Sequence, residues 1–243
     1  DTPIMLLSTH HNTMIDVALL SSHVPSLRKG GKGEQGRRKL HYWAKSGLFK
    51  NPISNLILTS SGNIRVDRRR KGDNRSLFQG TFLALSKRQS IALFPEGGSF
   101  TRPCLTPLKS GAAWAALEFY CSQSLTEEEE EEEGKGVPSA DHPRHPQADD
   151  STSPSFKPRE LTILPASIVY TDKSAYRSNV LLQFSKPIPL QPYTKHRIQR
   201  QEGSRRAVER LTREIEEALK SITINAPDWE TWKAMVCARE MLW

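Results

Sequence analysis

Cysteine is scarce in this chain. Three residues in 243, Cys104, Cys121 and Cys237, are odd in number and far apart. That excludes a disulfide scaffold and points to free thiols in a reducing compartment. Long apolar runs are missing too: nothing approaches the ~18 consecutive residues of a membrane-spanning helix. No stretch has the make-up of a signal peptide. The chain begins at Asp1 with no initiator Met, and Ile4 already falls in an apolar run. It is therefore read as a segment of a longer protein, whose membrane spans would lie elsewhere. There is no zinc-finger spacing, basic heptad or aromatic sheet signature, so nucleic acid is not an expected partner. A Gly-x-Ser-x-Gly elbow is lacking, and no cysteine sits in a catalytic signature, which leaves no nucleophile for a covalent acyl-enzyme. No metal cluster is expected: His142 and His145 have no partnering cysteines.

Positive charge is in excess. The formal charge is +8, although seven glutamates run together from Glu127 to Glu133; without them 35 basic side chains face 20 acidic ones, or +15. So basic a body favours anionic surfaces or phosphorylated ligands. The length suits one α/β domain with a sizeable core. A mean hydropathy of -0.57 is depressed by one polar stretch. From residue 124 to 158 the apolar pattern vanishes into Glu, Gly, Pro, Ser and Asp, a composition that buries too little surface to offset ordering entropy. The expected organisation is one domain over 1–243, interrupted by a disordered acidic insert over 124–158. Its polyglutamate is a solvated loop, or a competitor with anionic lipid for the basic surface.

Before the insert, short apolar runs alternate with helical patterns. Leu40–Ala44 and Ile91–Phe94 suit strands; Leu77, Phe78, Phe82 and Leu85 recur at helical spacing, and Gly111–Leu117 suits a buried helix. After it, Leu161–Tyr170 and Val180–Phe184 suit strands. Val208, Leu211, Ile215, Leu219 and Ile222 form a helical stripe opposite a basic face, fit for core packing or for a membrane surface. Pro227 is placed to open a last helix, whose Trp229, Trp232, Met235 and Trp243 suit either core or lipid interface. The expected fold class is α/β: a mixed, largely parallel sheet flanked by helices.

The most informative stretch is Thr9-His10-His11-Asn12-Thr13-Met14-Ile15-Asp16, between an apolar run and a helical pattern. It reads as a strand end, a turn and a helix start, with Asp16 in the first turn where the helix dipole favours a carboxylate. Asp16 can orient an imidazole and fix its tautomer, leaving the other nitrogen to take a proton. His11 and Asp16 have His-x4-Asp spacing. With Gly62-Asn63-Ile64-Arg65-Val66-Asp67-Arg68, Phe94-Pro95-Glu96-Gly97-Gly98-Ser99 and the proline-bearing strand Leu161-Thr162-Ile163-Leu164-Pro165-Ala166, in that order, this resembles the phospholipid/glycerol acyltransferase family. Thr106-Pro107-Leu108-Lys109-Ser110-Gly111, Tyr176–Val180 with Phe184–Ile188, and Asn225–Thr231 look like its fungal glycerol-3-phosphate/dihydroxyacetone-phosphate branch. Phe100 and Thr101 depart from that pattern, where a His and an acidic residue are common.

The resemblance implies an acyl-CoA-dependent O-acyltransferase acting on the sn-1 hydroxyl of glycerol 3-phosphate or dihydroxyacetone phosphate, in phosphatidate synthesis. Acyl-CoA enters as co-substrate, with no cofactor. It implies His11 as base and Asp16 as its orienter, with His10 a hydrogen-bonded loop residue. Arg68 is the expected phosphate ligand, because guanidinium matches phosphate bidentately. Arg102 and Lys45 are expected to support it, while Arg65 and Arg69 serve the surface. Glu96 is to accept from acceptor hydroxyls or orient Arg68; Gly62 and Gly97 allow close backbone approach; Pro165 marks an edge or bulge beside an acyl channel. The expected location is the cytosolic face of the endoplasmic reticulum membrane. Alternatives are a lysophosphatidate acyltransferase with the same residues and an inactive module that binds anionic membranes.

Overall fold

The computed structural model describes residues 2–24, 39–66, 74–121, 160–172, 178–194 and 201–242. Six strands form one sheet: β1 (Ile4–Ser8), β2 (Leu40–Lys45), β3 (Ile64–Val66), β4 (Ser90–Leu93), β5 (Thr162–Tyr170) and β6 (Val180–Phe184). The spatial order is β3-β2-β4-β1-β5-β6; every neighbouring pair is parallel except β5 with β6. The expected α/β class, a largely parallel mixed sheet with helices, is what forms. The helices are α1 (Ile15–His23), α2 (Pro52–Ser60, after a 3₁₀ turn at Ser46–Phe49), α3 (Asn74–Ser86) and α4 (Gly111–Cys121), then α5 (Gln191–Thr194), α6 (Gln201–Ile222) and α7 (Trp229–Leu242).

Strand side chains alternate between faces. Met5 and Leu7, with Ile91 and Leu93, enter a core with Phe78 and Leu85 of α3, Leu117 and Phe119 of α4, and Leu211 and Ile215 of α6. Leu6, Ala92, Ala166 and Ile168 point the other way, to Leu20 of α1. The central strands are buried on both sides, which is why β4 is a continuous apolar run. The α6 stripe is core: Val208, Leu211, Ile215 and Leu219 are all buried. Trp232 packs with Ala226 and Val236 in a small separate cluster, while Trp229 stays partly exposed.

Two expectations need correction. The last helix begins at Trp229, beyond Pro227, and Asp228 caps it by accepting the Thr231 N–H at 2.7 Å. Pro165 sits in β5, an interior strand, opposite Leu7. The sheet tolerates it there because the antiparallel ladder with β6 starts at Ala166–Phe184. Pro165 O still accepts the Ser185 N–H at 2.9 Å, so one reciprocal ladder bond is all that is lost. The 124–158 insert, Arg68, Arg69, Tyr176 and Trp243 lie outside the described residues.

Candidate active site

Parallel strands send their carboxyl ends to one edge, where α/β proteins place their sites. Register does the assembly. Leu7 of β1 pairs with Leu93 of β4, so the His10 loop and the Phe94-Pro95-Glu96 loop leave the sheet side by side. Lys45 ends β2 at the same edge, opposite Val66. β5 pairs with β1 only up to Ser8–Ala166 and runs on to Tyr170. Its overhang delivers a phenol to the loop between β1 and α1.

Asp16 is the hub, wholly buried in the first turn of α1. Its Oδ2 accepts the amides of His11 and Asn12, each at 2.7 Å, and lies 2.9 Å from His10 Nδ1. Its Oδ1 accepts the Tyr170 hydroxyl at 2.5 Å. Burial alone would push this carboxyl up; hydrogen bonds from His10, Tyr170 and the Asn12 and His11 amides outweigh it and hold it below the ordinary carboxylate range. The phenol of Tyr170 is pushed up in turn, by burial first and then by its bond to Asp16 and that carboxylate's charge.

The imidazole that Asp16 orients is His10. The expected pairing with His11 is corrected: Asp16 takes the His11 amide, while the His11 ring turns away and its Nδ1 lies 3.3 Å from Phe100 O. The tight turn at Asn12 explains the swap, since the carboxylate folds back on two successive amides and faces the ring before them. An ionised carboxylate accepts only, so His10 carries its proton on Nδ1 and its Nε2 is the basic nitrogen. The His10 ring stacks on Phe94, centroids 3.9 Å apart. His11 instead lines a pocket with Thr9, Arg102, Leu105, Tyr170 and Trp232.

Glu96 is also recast. It is buried, with Oε1 accepting the His10 N–H at 3.1 Å and Oε2 accepting both the amide and the hydroxyl of Thr106. Protein donors occupy both oxygens, so this carboxylate ties the ends of β1 and β4 to the loop before α4. Arg102, exposed, lies over the Phe100 ring, 5.8 Å from its centroid. Gly97 has φ +78 and Gly62 φ +76, a region that favours glycine. A Cβ on Gly62 would stand 2.5 Å from His41 Nδ1, so that glycine serves a turn. A Cβ on Gly97 would stand 2.6 Å from Lys109 Nζ.

Lys109 therefore lies across the backbone of the Phe-Pro-Glu-Gly turn, a neighbour that sequence spacing alone did not single out. Tyr170 was equally hidden, because nothing in a strand's pattern says which terminal side chain meets a residue 154 positions away. The Asn225-Ala226 pair pins this region: Asn225 Oδ1 accepts the Leu105 N–H at 2.9 Å, and the Ala226 N–H donates to Pro103 O at 3.0 Å. Among the described residues no group of three or more His, Cys, Asp and Glu is placed to hold a metal ion.

A buried His–Asp pair at the carboxyl edge, braced by a glutamate from the next strand, is accompanied by a family match. Residues 1–124 fit the family described as Acyltransferase, and the chain belongs to it. Among named relatives it is 28% identical over 198 residues to Glycerol-3-phosphate O-acyltransferase 2 of Saccharomyces cerevisiae, covering 81% of this chain and 22% of that protein. Glycerol-3-phosphate O-acyltransferase 1 of the same yeast is 26% identical over 171 residues, 70% of this chain and 18% of that protein. An uncharacterized acyltransferase of Schizosaccharomyces pombe is 30% identical over 157 residues, 65% of this chain and 18% of that one. The chain thus spans about a fifth of the length of the curated relatives it matches. A solved structure, the 1-acyl-sn-glycerophosphate (LPA) acyltransferase PlsC from Thermotoga maritima, superposes with a TM-score of 0.45 at 15% identity over 89% of this chain and 66% of that one.

Proposed function

We propose that this domain transfers a fatty acyl group from acyl-CoA to the sn-1 hydroxyl of glycerol 3-phosphate or dihydroxyacetone phosphate, with His10 as the base. The observation that carries the reading is the 2.9 Å contact from His10 Nδ1 to an Asp16 carboxylate held ionised by burial-resistant hydrogen bonds. Nε2 of His10 removes the acceptor's hydroxyl proton as its oxygen attacks the thioester carbon. Asp16 stabilises the imidazolium that forms. The tetrahedral intermediate collapses, the carbon–sulfur bond breaks, and the proton passes to the departing thiolate. No covalent acyl-enzyme and no cofactor enter the scheme.

The acceptor class is supported by the two yeast relatives, whose names carry glycerol 3-phosphate, and by the basic body that suits a phosphate. Arg68, Arg102 and Lys45 are its proposed ligands, and the cytosolic face of the endoplasmic reticulum its proposed location. A second reading keeps His11 as the base, because its ring lines the pocket with Arg102. The test is an assay with radiolabelled acyl-CoA against glycerol 3-phosphate, dihydroxyacetone phosphate and lysophosphatidate, on His10→Ala and His11→Ala side by side. Loss of ~10²–10⁴-fold, the usual worth of a general base, in His10→Ala alone supports the dyad. The same loss confined to His11→Ala moves the base to the pocket. A preference for lysophosphatidate overturns the acceptor.

A further inference from the structure

We propose that α2 is a lipid-docking helix that lays the carboxyl edge of the sheet on an anionic lipid surface. Helices on a sheet ordinarily turn their apolar side inward. This one does the reverse. None of its residues is buried. Ile53, Leu56 and Ile57, at i, i+3 and i+4 on one face, are 69%, 70% and 58% exposed, and Leu48 in the preceding 3₁₀ turn is 54% exposed. The polar Asn55 is the better covered: its Oδ1 accepts from Arg65 and from Thr59, each at 3.4 Å. Asn51 caps the helix by accepting the Ile53 amide at 2.9 Å, and Pro52 opens it. It is thus a well-made helix presenting aliphatic side chains to solvent.

Its place in the fold gives the patch a direction. The chain enters α2 from the carboxyl end of β2 and returns to the sheet at Ile64, opposite Trp43. β2 adjoins β4, whose end carries Glu96. Met14, in the loop that leaves the same edge from β1, and Ile15, the first residue of α1, are 78% and 49% exposed. The apolar outlay is therefore at the site's own rim.

Charge selects the occupant. The described stretch 39–66 holds Lys39, Lys45, Lys50 and Arg65 and not one Asp or Glu. Arg65 rests its guanidinium on the Phe49 ring, 4.6 Å from the centroid, a geometry that shields the stem and leaves charge at the surface. Lys45 and Lys50 flank the 3₁₀ turn that leads into α2, and Arg65 reaches Asn55 of the helix itself; aliphatic side chains set beside such cations match an anionic lipid monolayer. The stretches that flank it in sequence, 25–38 and 67–73, contain one large apolar side chain between them, Leu27. The proposal uses the acyl-transfer reading only for the sense of the orientation, since a product carrying an acyl chain leaves into lipid.

Sedimentation of the 243-residue protein with vesicles of phosphatidylcholine alone, and of phosphatidylcholine and phosphatidylserine in equal parts, tests it. Leu56→Ser with Ile57→Ser should lower partitioning roughly 100-fold, about tenfold for each large side chain withdrawn from lipid. Lys50→Glu should lower it about tenfold on the anionic vesicles only, and less in high salt. Leu83→Ser, an exposed leucine on α3, should change nothing, and Ile53→Ser alone serves if the double variant misfolds. Equal partitioning of wild type, α2 variants and Lys50→Glu overturns the proposal. So does an α2 variant that splits a dimer into monomers while vesicle binding persists, which would give the face to a second copy. His10→Ala should bind vesicles as wild type does, so failure of the catalytic scheme and failure of the docking surface are read separately.

Discussion

Tyr170 and Asp16 meet through a single hydrogen bond of 2.5 Å across 154 residues of sequence, and that bond joins the last residue of β5 to the carboxylate that orients His10. It makes β5 a structural part of the dyad. Because Asp16 has four protein donors, losing one should weaken the site without dismantling it.

Tyr170→Phe should therefore lower kcat about tenfold and leave the acceptor KM near its wild-type value, with stability reduced by about 1.5–3 kcal/mol for a buried bond to a charged acceptor. Steady-state kinetics with chemical denaturation would check both. A wild-type kcat would separate Tyr170 from the dyad.

Asp16 also sets an acid limit. Its folded pKa is depressed, so the stability it contributes is fully present above the ordinary carboxylate value of about 3.9 and is lost as pH falls through the lower folded value. Urea denaturation of the wild type should show stability declining below that point. Asp16→Asn should be less stable at neutral pH, and the gap between the two should close in acid. A gap that stays constant across pH would mean that Asp16 is not held charged.

Glu96→Gln should prove mainly structural. The amide keeps its carbonyl as an acceptor but puts a donor where the second oxygen stood, facing either the His10 amide or the Thr106 donors. One to three kcal/mol of stability should go, and kcat should fall with it as His10 shifts. If the acceptor KM alone changes, Glu96 touches substrate after all.

Gly97→Ala places a Cβ at φ +78 against the flexible end of Lys109. The side chain can move aside, so the cost is the backbone's, about 1–2 kcal/mol. Gly97→Ala combined with Lys109→Ala should remain as destabilised as Gly97→Ala alone in thermal melts. Full rescue would assign the cost to the contact.

Arg68→Ala should raise the acceptor KM strongly and spare that of acyl-CoA, with Arg68→Lys rescuing only in part, because a bidentate phosphate contact needs the fork of a guanidinium. Saturation curves for each substrate decide it.

Much of this fold was legible before any coordinates. The strands through Leu93 and Ala166 and the helices through Leu117 and Ile215 follow from hydrophobic period and length, since each is buried on the face its pattern predicts; β6 follows from its apolar run although its Leu182 is only partly covered. The α2 helix was passed over for the same reason: Ile53, Leu56 and Ile57 are apolar but unburied, and periodicity is interpreted on the assumption that apolar means inward. Spacing found Asp16 but paired it with the His11 ring, whereas the ring that faces the carboxylate is that of His10, because two adjacent histidines differ by one residue and only the turn at Asn12 decides between them. Glu96 was located by its block, yet its partner His10 depends on the register of β1 with β4, which no local pattern encodes, and its partner Thr106 on the path of the loop before α4.

The placement of β5 has a consequence for biosynthesis. A ribosome that has released residues 1–121 has delivered both histidines, Asp16 and Glu96 into a half-built sheet. β1 then has β4 on one side and bare backbone donors and acceptors on the other, the edge that β5 later pairs from Ile4 to Ser8. An exposed apolar edge strand recruits other chains. The nascent polypeptide is thus most vulnerable to misassembly while the 38 residues of 122–159 are being translated, and each added residue there lengthens the wait for the strand that closes the gap.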